Sequence, residues 1–90
     1  MALLSEAAWI ALTRLYAAGR QGIEYEGGHY AAAGSWATLR ALRDHAPPLA
    51  REIVRLDPQN QTTHYLMIIT DAGVDFYEKH RRLYNAFYPP

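Results

Sequence analysis

A chain of 90 residues, 50% hydrophobic, 12% aromatic and 20% charged, has room for one domain around one modest core and is too apolar for a disordered segment. Nine Lys and Arg balance nine Asp and Glu, and this formal net charge of zero excludes a protein that holds nucleic acid or anionic membrane by bulk charge. The absence of cysteine excludes disulfides, thiolate metal sites and a cysteine nucleophile.

Ser5 followed by Glu6 predicts a helix start: a hydroxyl cap, then an acid in the first turn. Leu4, Ala8, Ala11, Leu12, Leu15 and Ala18 recur at helical spacing, and Gly19 stands where a glycine ends a helix. Trp9 and Tyr16 lie on the flank of that stripe. Next, Ile23 to Tyr30 alternates apolar and polar residues up to Gly27-Gly28, which predicts a short hairpin. A short helix over 29–33, through Ala31-Ala32-Ala33, is the competing reading.

Ser35 caps a second helix, with Trp36, Leu39, Leu42 and Ala46 inward and Ala37, Ala41 and Asp44 outward. Pro47-Pro48 ends it, because proline disfavours the helical conformation in the residue before it. Two strands follow, Arg51–Leu56 and the nearly all-apolar His64–Ile69, joined by a polar projecting loop, Asp57–Thr63. Thr70 and Asp71 open the last helix, over 71–87. Gly73, Phe76, Tyr77, His80, Leu83, Tyr84 and Phe87 form its inward stripe, with Asp75–Lys79 and Glu78–Arg82 as outer acid-before-base pairs.

No apolar run reaches the roughly 18–20 residues of a membrane span. The start, Met1 to Glu6, lacks the basic segment of a signal peptide. The expectation is a cytoplasmic protein without membrane contact. His29, His45, His64 and His80 show no metal-ligand spacing, so no metal is expected. His80, within an apolar stripe, reads as a core histidine. Ser5 and Ser35, the only serines, read as caps and not as nucleophiles. Glu24 and Glu26 share one face if extended, which suits a solvated edge better than an acid–base pair. No glycine pattern matches a phosphate or dinucleotide loop, so no cofactor and no catalytic residue are expected.

Two further features concern partners. Tyr77, Tyr84, Phe87 and Tyr88 crowd the C-terminal helix, more aromatic bulk than a core this small absorbs beside Trp9 and Tyr16. These six residues are expected to form a two-fold homodimer interface, the competing reading being a filled core. In addition, Arg51, Ile53 and Arg55 share one strand face. If that face borders the second helix, Arg40, Arg43, Arg51 and Arg55 form a local basic stripe; otherwise they are a solvated face laced with Glu52 and Asp57.

The order helix, β segment, helix, strand, polar loop, strand, helix resembles a small winged-helix domain. Ser35-Trp36-Ala37-Thr38-Leu39-Arg40-Ala41-Leu42 is similar to the recognition helix of winged helix-turn-helix regulators. Thr70-Asp71-Ala72-Gly73, after an apolar strand, is similar to the Leu-Thr-x-x-Gly motif that closes the wing in MarR-like and PadR-like proteins. The resemblance spans residues 35–80. It departs from the family in the segment at 25–30, where a second helix is usual, and in the double proline after His45.

The resemblance implies an α+β, winged-helix-like single domain over 1–90, with three main helices, a β-hairpin wing and a short additional β segment. It implies double-stranded DNA as partner and a role as transcriptional regulator or accessory factor. Ser35, Trp36, Ala37, Thr38, Arg40 and Ala41 would face the major groove, Arg43, Arg51 and Arg55 would flank it, and Asn60, Gln61, Thr62 and Thr63 would form the wing. The alternative is a winged-helix scaffold used for protein–protein contact, such as a phage- or plasmid-type inhibitor of a host complex. Neutral net charge and Asp44 on the outward helix face favour that alternative.

Overall fold

The computed structural model of the chain describes residues 3–25 and 33–89. The first helix, α1 (Glu6–Ala18), starts where Ser5 Oγ accepts the Ala8 N–H at 3.2 Å and stops at Gly19, whose φ of +60° breaks the helix. A 3-10 turn over Gly19–Gln21 leads into β1 (Ile23–Glu24). Gly22 between them has φ +71°, and a Cβ there would sit 2.6 Å from Ile68 Cγ2.

The second helix, α2 (Trp36–Asp44), starts where Ser35 Oγ accepts the Thr38 N–H at 3.2 Å and ends ahead of the two prolines. The strands β2 (Ala50–Asp57) and β3 (Thr62–Ile69) pair antiparallel, from Ala50 opposite Ile69 to Asp57 opposite Thr62. Asp57, Thr62 and Thr63 thus belong to the ladder, and the expected seven-residue loop shrinks to a turn over 58–61. Polar side chains are tolerated in those strand ends because the hairpin has left the core and is in water.

The last helix, α3 (Asp71–Phe87), is capped by Thr70, whose Oγ1 accepts the Gly73 N–H at 3.0 Å and donates to Pro48 O at 2.6 Å. Thr70 N–H also donates to Leu49 O at 3.1 Å. Gly73 then lies against the Leu49 carbonyl so closely that any Cβ would collide with it. The missing side chain at position 73 thus lets the start of α3 pack closely on Leu49.

The described residues make an α+β protein with three α-helices and one three-stranded antiparallel sheet of order β1-β3-β2. Of the expected hairpin at 23–30, the first arm falls among the described residues. That arm is β1, which pairs with the distant β3, Ile23 opposite Met67 and Glu24 opposite Leu66. The second arm and Gly27-Gly28 lie outside the described residues, as does most of the competing helix at 29–33. Ile23 gains more on β3, where its side chain packs against the core, than it would in an isolated hairpin.

The core gathers Trp9, Leu12 and Leu15 from α1, Leu39 and Leu42 from α2, Leu49, and Met67 from β3. Each such side chain contributes about 1.5–3 kcal/mol by leaving water. Two members of the expected α2 stripe are not in it: Trp36 is 40% exposed and Ala46 is exposed. Of the nine residues of this helix Leu39 and Leu42 are buried, and Trp36 in the first turn lies at the edge of the core. Along α3, Gly73 and Tyr84 are buried and Phe76, Tyr77 and His80 half-buried, whereas Leu83 and Phe87 are exposed. Those two sit on the rim of the stripe, off the Tyr77–Tyr84 line that faces α1.

That line forms a ring column. Trp9 stacks between Tyr77 (centroids 5.0 Å apart) and Tyr84 (4.5 Å), and Tyr77 stacks in turn on Tyr16 (4.1 Å). Trp9 Nε1–H donates to Asn85 Oδ1 at 3.1 Å, Leu4 N–H donates to Tyr84 Oη at 2.9 Å, and Tyr88 O–H donates to Leu4 O at 3.1 Å. Glu78 accepts the Tyr16 O–H at 2.8 Å and forms no ion pair with Arg82. No helix among the described residues is long and apolar enough to cross a membrane.

Candidate nucleic-acid interface

The cap decides what α2 shows first. Ser35 Oγ accepts the Thr38 N–H and lies 2.9 Å from Thr38 Oγ1, so both hydroxyls are engaged with the helix start. With Leu39 and Leu42 buried, the helical repeat turns Ala37, Arg40, Ala41 and Asp44 outward, and all four are exposed. Two alanines leave the backbone approachable there. Trp36 receives the Arg40 and Arg43 guanidinium groups at 5.8 and 5.4 Å from its ring centroid, which stiffens that flank by cation–π attraction.

The two arginines differ in what holds their charge. Arg43 pairs with Asp44 (3.4 Å) and with Glu52 of β2 (3.8 Å). Arg40 has no carboxylate within ion-pair distance among the described residues, so its guanidinium is available to an anion.

The four-arginine stripe is not formed. Glu52, Val54 and Leu56 share the sheet face of Ala50 and Met67, which is the core side and the side of α2. Strand alternation puts Arg51, Ile53 and Arg55 on the opposite face, with His64 and Leu66 across from Arg55 and Ile53. Arg51 instead rims an open groove of about 850 Å3 with Arg20, Asp71 and Asp75. Glu24 sits on that far face too, bonded through Oε1 to His64 Nδ1.

The hairpin turn is polar and carries an acid at its base. Asp57 accepts the N–H groups of Gln59 (3.0 Å) and Asn60 (3.3 Å) and the Asn60 side-chain amide (2.9 Å). These bonds, the Asn60 backbone N–H first, hold the Asp57 carboxyl below the usual aspartate range. Gln61 takes φ +54° to close the turn. Of the four expected wing residues, Asn60 is committed to Asp57, while Gln61, Thr62 and Thr63 are exposed.

The six aromatic residues assigned to a dimer interface divide. Trp9 and Tyr84 are each 2% exposed and spend their surface inside the chain. Tyr16, Tyr77 and Tyr88 are half-buried in the same column or beside it, and Phe87 alone is fully presented. The filled-core reading therefore holds for Trp9 and Tyr84. His80 lies against Phe76 and Tyr84, ring centroids 4.6 and 6.5 Å away, as a core-flank histidine.

Sequence reasoning missed the Arg43–Glu52 tie and the Glu24–His64 bond, since the first depends on how α2 is laid against β2 and the second joins residues 40 positions apart. Only the pairing register of β1 on β3, which brings Glu24 beside His64, reveals the second. Among the described residues no group of three or more potential metal ligands occurs. No family model, no curated protein and no solved structure matches the chain.

Proposed function

We propose that the protein is a small winged-helix DNA-binding protein, a regulator or accessory factor, that inserts α2 in the major groove. The observation that carries this is the outward face of α2: Arg40, exposed and with no carboxylate in ion-pair reach among the described residues, between the small residues Ala37 and Ala41. Arg40 suits guanine O6 and N7 or a phosphate, and the alanines permit close approach or contact with a thymine methyl. The β2–β3 hairpin would serve as the wing, and the Thr70–Gly73 cap sets the start of α3 against the base of that hairpin. Two copies would require a roughly palindromic site.

With Arg51 and Arg55 on the sheet face away from α2, the electrostatic footprint is limited to α2. Binding is therefore expected to weaken with salt on a shallow slope. Fluorescence anisotropy with labelled duplexes at low salt tests the proposal: Arg40→Ala should weaken binding at least several-fold. Absence of binding to any duplex from a random-sequence pool would sink it.

A second reading is favoured by the acids on the two proposed contact elements, α2 and the hairpin. Asp44 lies beside Arg40 on the outward face, and Asp57 is held ionised at the hairpin turn. A protein partner tolerates those charges better than a phosphate backbone does. In that case Arg40→Ala leaves the protein complex largely intact, whereas charge reversal at Asp44 weakens it.

A further inference from the structure

We propose that β2 pairs edge to edge with β2 of a second copy, antiparallel, about a two-fold axis at Val54. The backbone supplies the first argument. Tyr25 N–H donates to Tyr65 O at 2.8 Å, so the Tyr65 peptide groups of β3 point toward β1. Alternate β3 residues, His64 and Leu66, then point toward β2, and meet Arg55 and Ile53. Val54 and Leu56 must therefore direct their N–H and C=O groups outward, from a strand that ends the sheet. No hydrogen bond from another described residue reaches them there.

The side chains supply the second argument. Val54 is 59% exposed, Leu56 71% and Tyr65 50%, and Val54 lies directly across from Tyr65 on one face. A strand edge open at Val54 and Leu56 among the described residues, with apolar side chains beside it, is a template for another strand. β2 also carries Arg51, Glu52, Arg55 and Asp57, and charge selects both the occupant and the register.

A two-fold axis normal to the sheet keeps each side chain on its own face, so two registers overlap most of β2. One centred on Ile53 sets Arg51 opposite Arg55 of the second copy, like charges twice over. One centred on Val54 sets Arg51 opposite Asp57 of the second copy, also twice, and Asp57 is the carboxylate that the turn keeps ionised. The same register lines up Tyr65, Val54, Val54 and Tyr65 across four strands, with Leu56 diagonal to the second Val54. Val54 exchanges both of its outward hydrogen bonds with its counterpart. Because Arg43 and Glu52 tie α2 to the Val54 face, both α2 helices emerge on the same side of the joined sheet.

The test uses the full chain, whose lack of cysteine makes an introduced thiol unique. Under mild oxidation Val54→Cys is expected to form a disulfide dimer rapidly, since directly paired residues bring their Cα atoms to about 5.5 Å, within disulfide reach. Leu56→Cys, more exposed but off the axis, is expected to cross-link slowly, like any collisional thiol. Equal rates for the two overturn the proposal. In sedimentation of the parent chain a dimer is expected. Arg51→Asp should weaken it by about tenfold, since two cross-strand charge pairs are reversed together. Val54→Lys should yield monomer with an unchanged far-ultraviolet circular-dichroism spectrum, as position 54 is exposed. A parent chain that stays monomeric at millimolar concentration, or one that binds an extended peptide along β2 in place of a second copy, overturns the assignment.

Discussion

Trp9 and Tyr84 stack with ring centroids 4.5 Å apart and planes inclined by 13°, so the contact that joins α1 to α3 is a tight aromatic one. Tyr84 adds a polar tie by accepting the Leu4 N–H at 2.9 Å. Trp9→Ala is expected to cost about 3–5 kcal/mol, the usual loss for a large buried aromatic. Tyr84→Phe keeps the stack and loses one hydrogen bond, at about 1 kcal/mol. In a domain of this size each kcal/mol moves the melting temperature by about 4–8 °C. Thermal denaturation followed by circular dichroism should therefore rank the two variants far apart; equal melting temperatures would contradict the column as the α1–α3 seam.

Gly73 owes its identity to Leu49, not to its own backbone angles. A Cβ at position 73 would collide with the Leu49 carbonyl oxygen and lie 2.7 Å from Ile69 Cγ1. Neither neighbour yields easily, since Leu49 O already accepts the Thr70 N–H. Gly73→Ala is thus expected to destabilise by about 1–3 kcal/mol despite alanine's better helix propensity. Gly19→Ala meets nothing within 4 Å and pays only for its φ of +60°. Chemical denaturation of the two variants separates a packing glycine from a turn glycine.

The two glycines also show how far the sequence is legible. Local signals are legible: the caps at Ser5, Ser35 and Thr70 all accept the bond expected of them, because capping depends on residues three positions away. The strand pair and its intervening turn were legible from β-branched runs around polar residues. What was not legible depended on which elements meet. Trp36 is apolar enough for the core and is 40% exposed, since burial on α2 is confined to Leu39 and Leu42. The arginines at 51 and 55 were assigned to one strand face correctly. That this face turns away from α2 is fixed by the tertiary placement of Ala50 and Met67, which no local pattern encodes.

Asp57 makes the hairpin turn pH-dependent. Its folded pKa lies below the ordinary aspartate value because Asn60 and Gln59 donate to the carboxylate. A group lowered on folding contributes stability above its unfolded pKa and loses it as pH falls through the folded value. The turn over 58–61 is therefore expected to hold at neutral pH and loosen only below the normal aspartate range. Amide chemical shifts of Gln59 and Asn60 should report that transition, and Asp57→Asn should abolish it. A titration at or above the ordinary value would contradict the three hydrogen bonds.

Tyr16 titrates in the opposite sense. Its hydroxyl donates to Glu78, and that bond, with burial and the Glu78 charge, raises its pKa above the ordinary tyrosine value of 10.0. Such a raised group contributes stability below its unfolded pKa, and the contribution disappears as pH rises through the folded value. Alkaline difference absorbance of the parent chain against Tyr16→Phe should isolate one late-titrating phenol. Glu78→Gln should shift it down, because the neutral amide does not repel the phenolate.

Arg40 and Asp44 are one turn apart on the exposed face of α2, and their substitutions separate the two functional readings. If Arg40 holds a phosphate, Arg40→Ala weakens binding to all duplexes alike and lowers the salt slope by about one unit. If it reads a base edge, the same variant costs about 1–3 kcal/mol at one base pair and relaxes specificity there. Asp44→Asn removes the acid beside the groove and is expected to tighten DNA binding in either case, because the repulsion of a nearby phosphate is lifted. It also frees Arg43 from its 3.4 Å partner, leaving Glu52 as the only carboxylate on that guanidinium among the described residues. Anisotropy titrations at two or more salt concentrations measure all three effects. Tighter DNA binding by Asp44→Asn together with weaker binding by Arg40→Ala is the pattern that a major-groove helix requires. A protein partner that selects Asp44 gives the reverse order, with Asp44→Asn the damaging change.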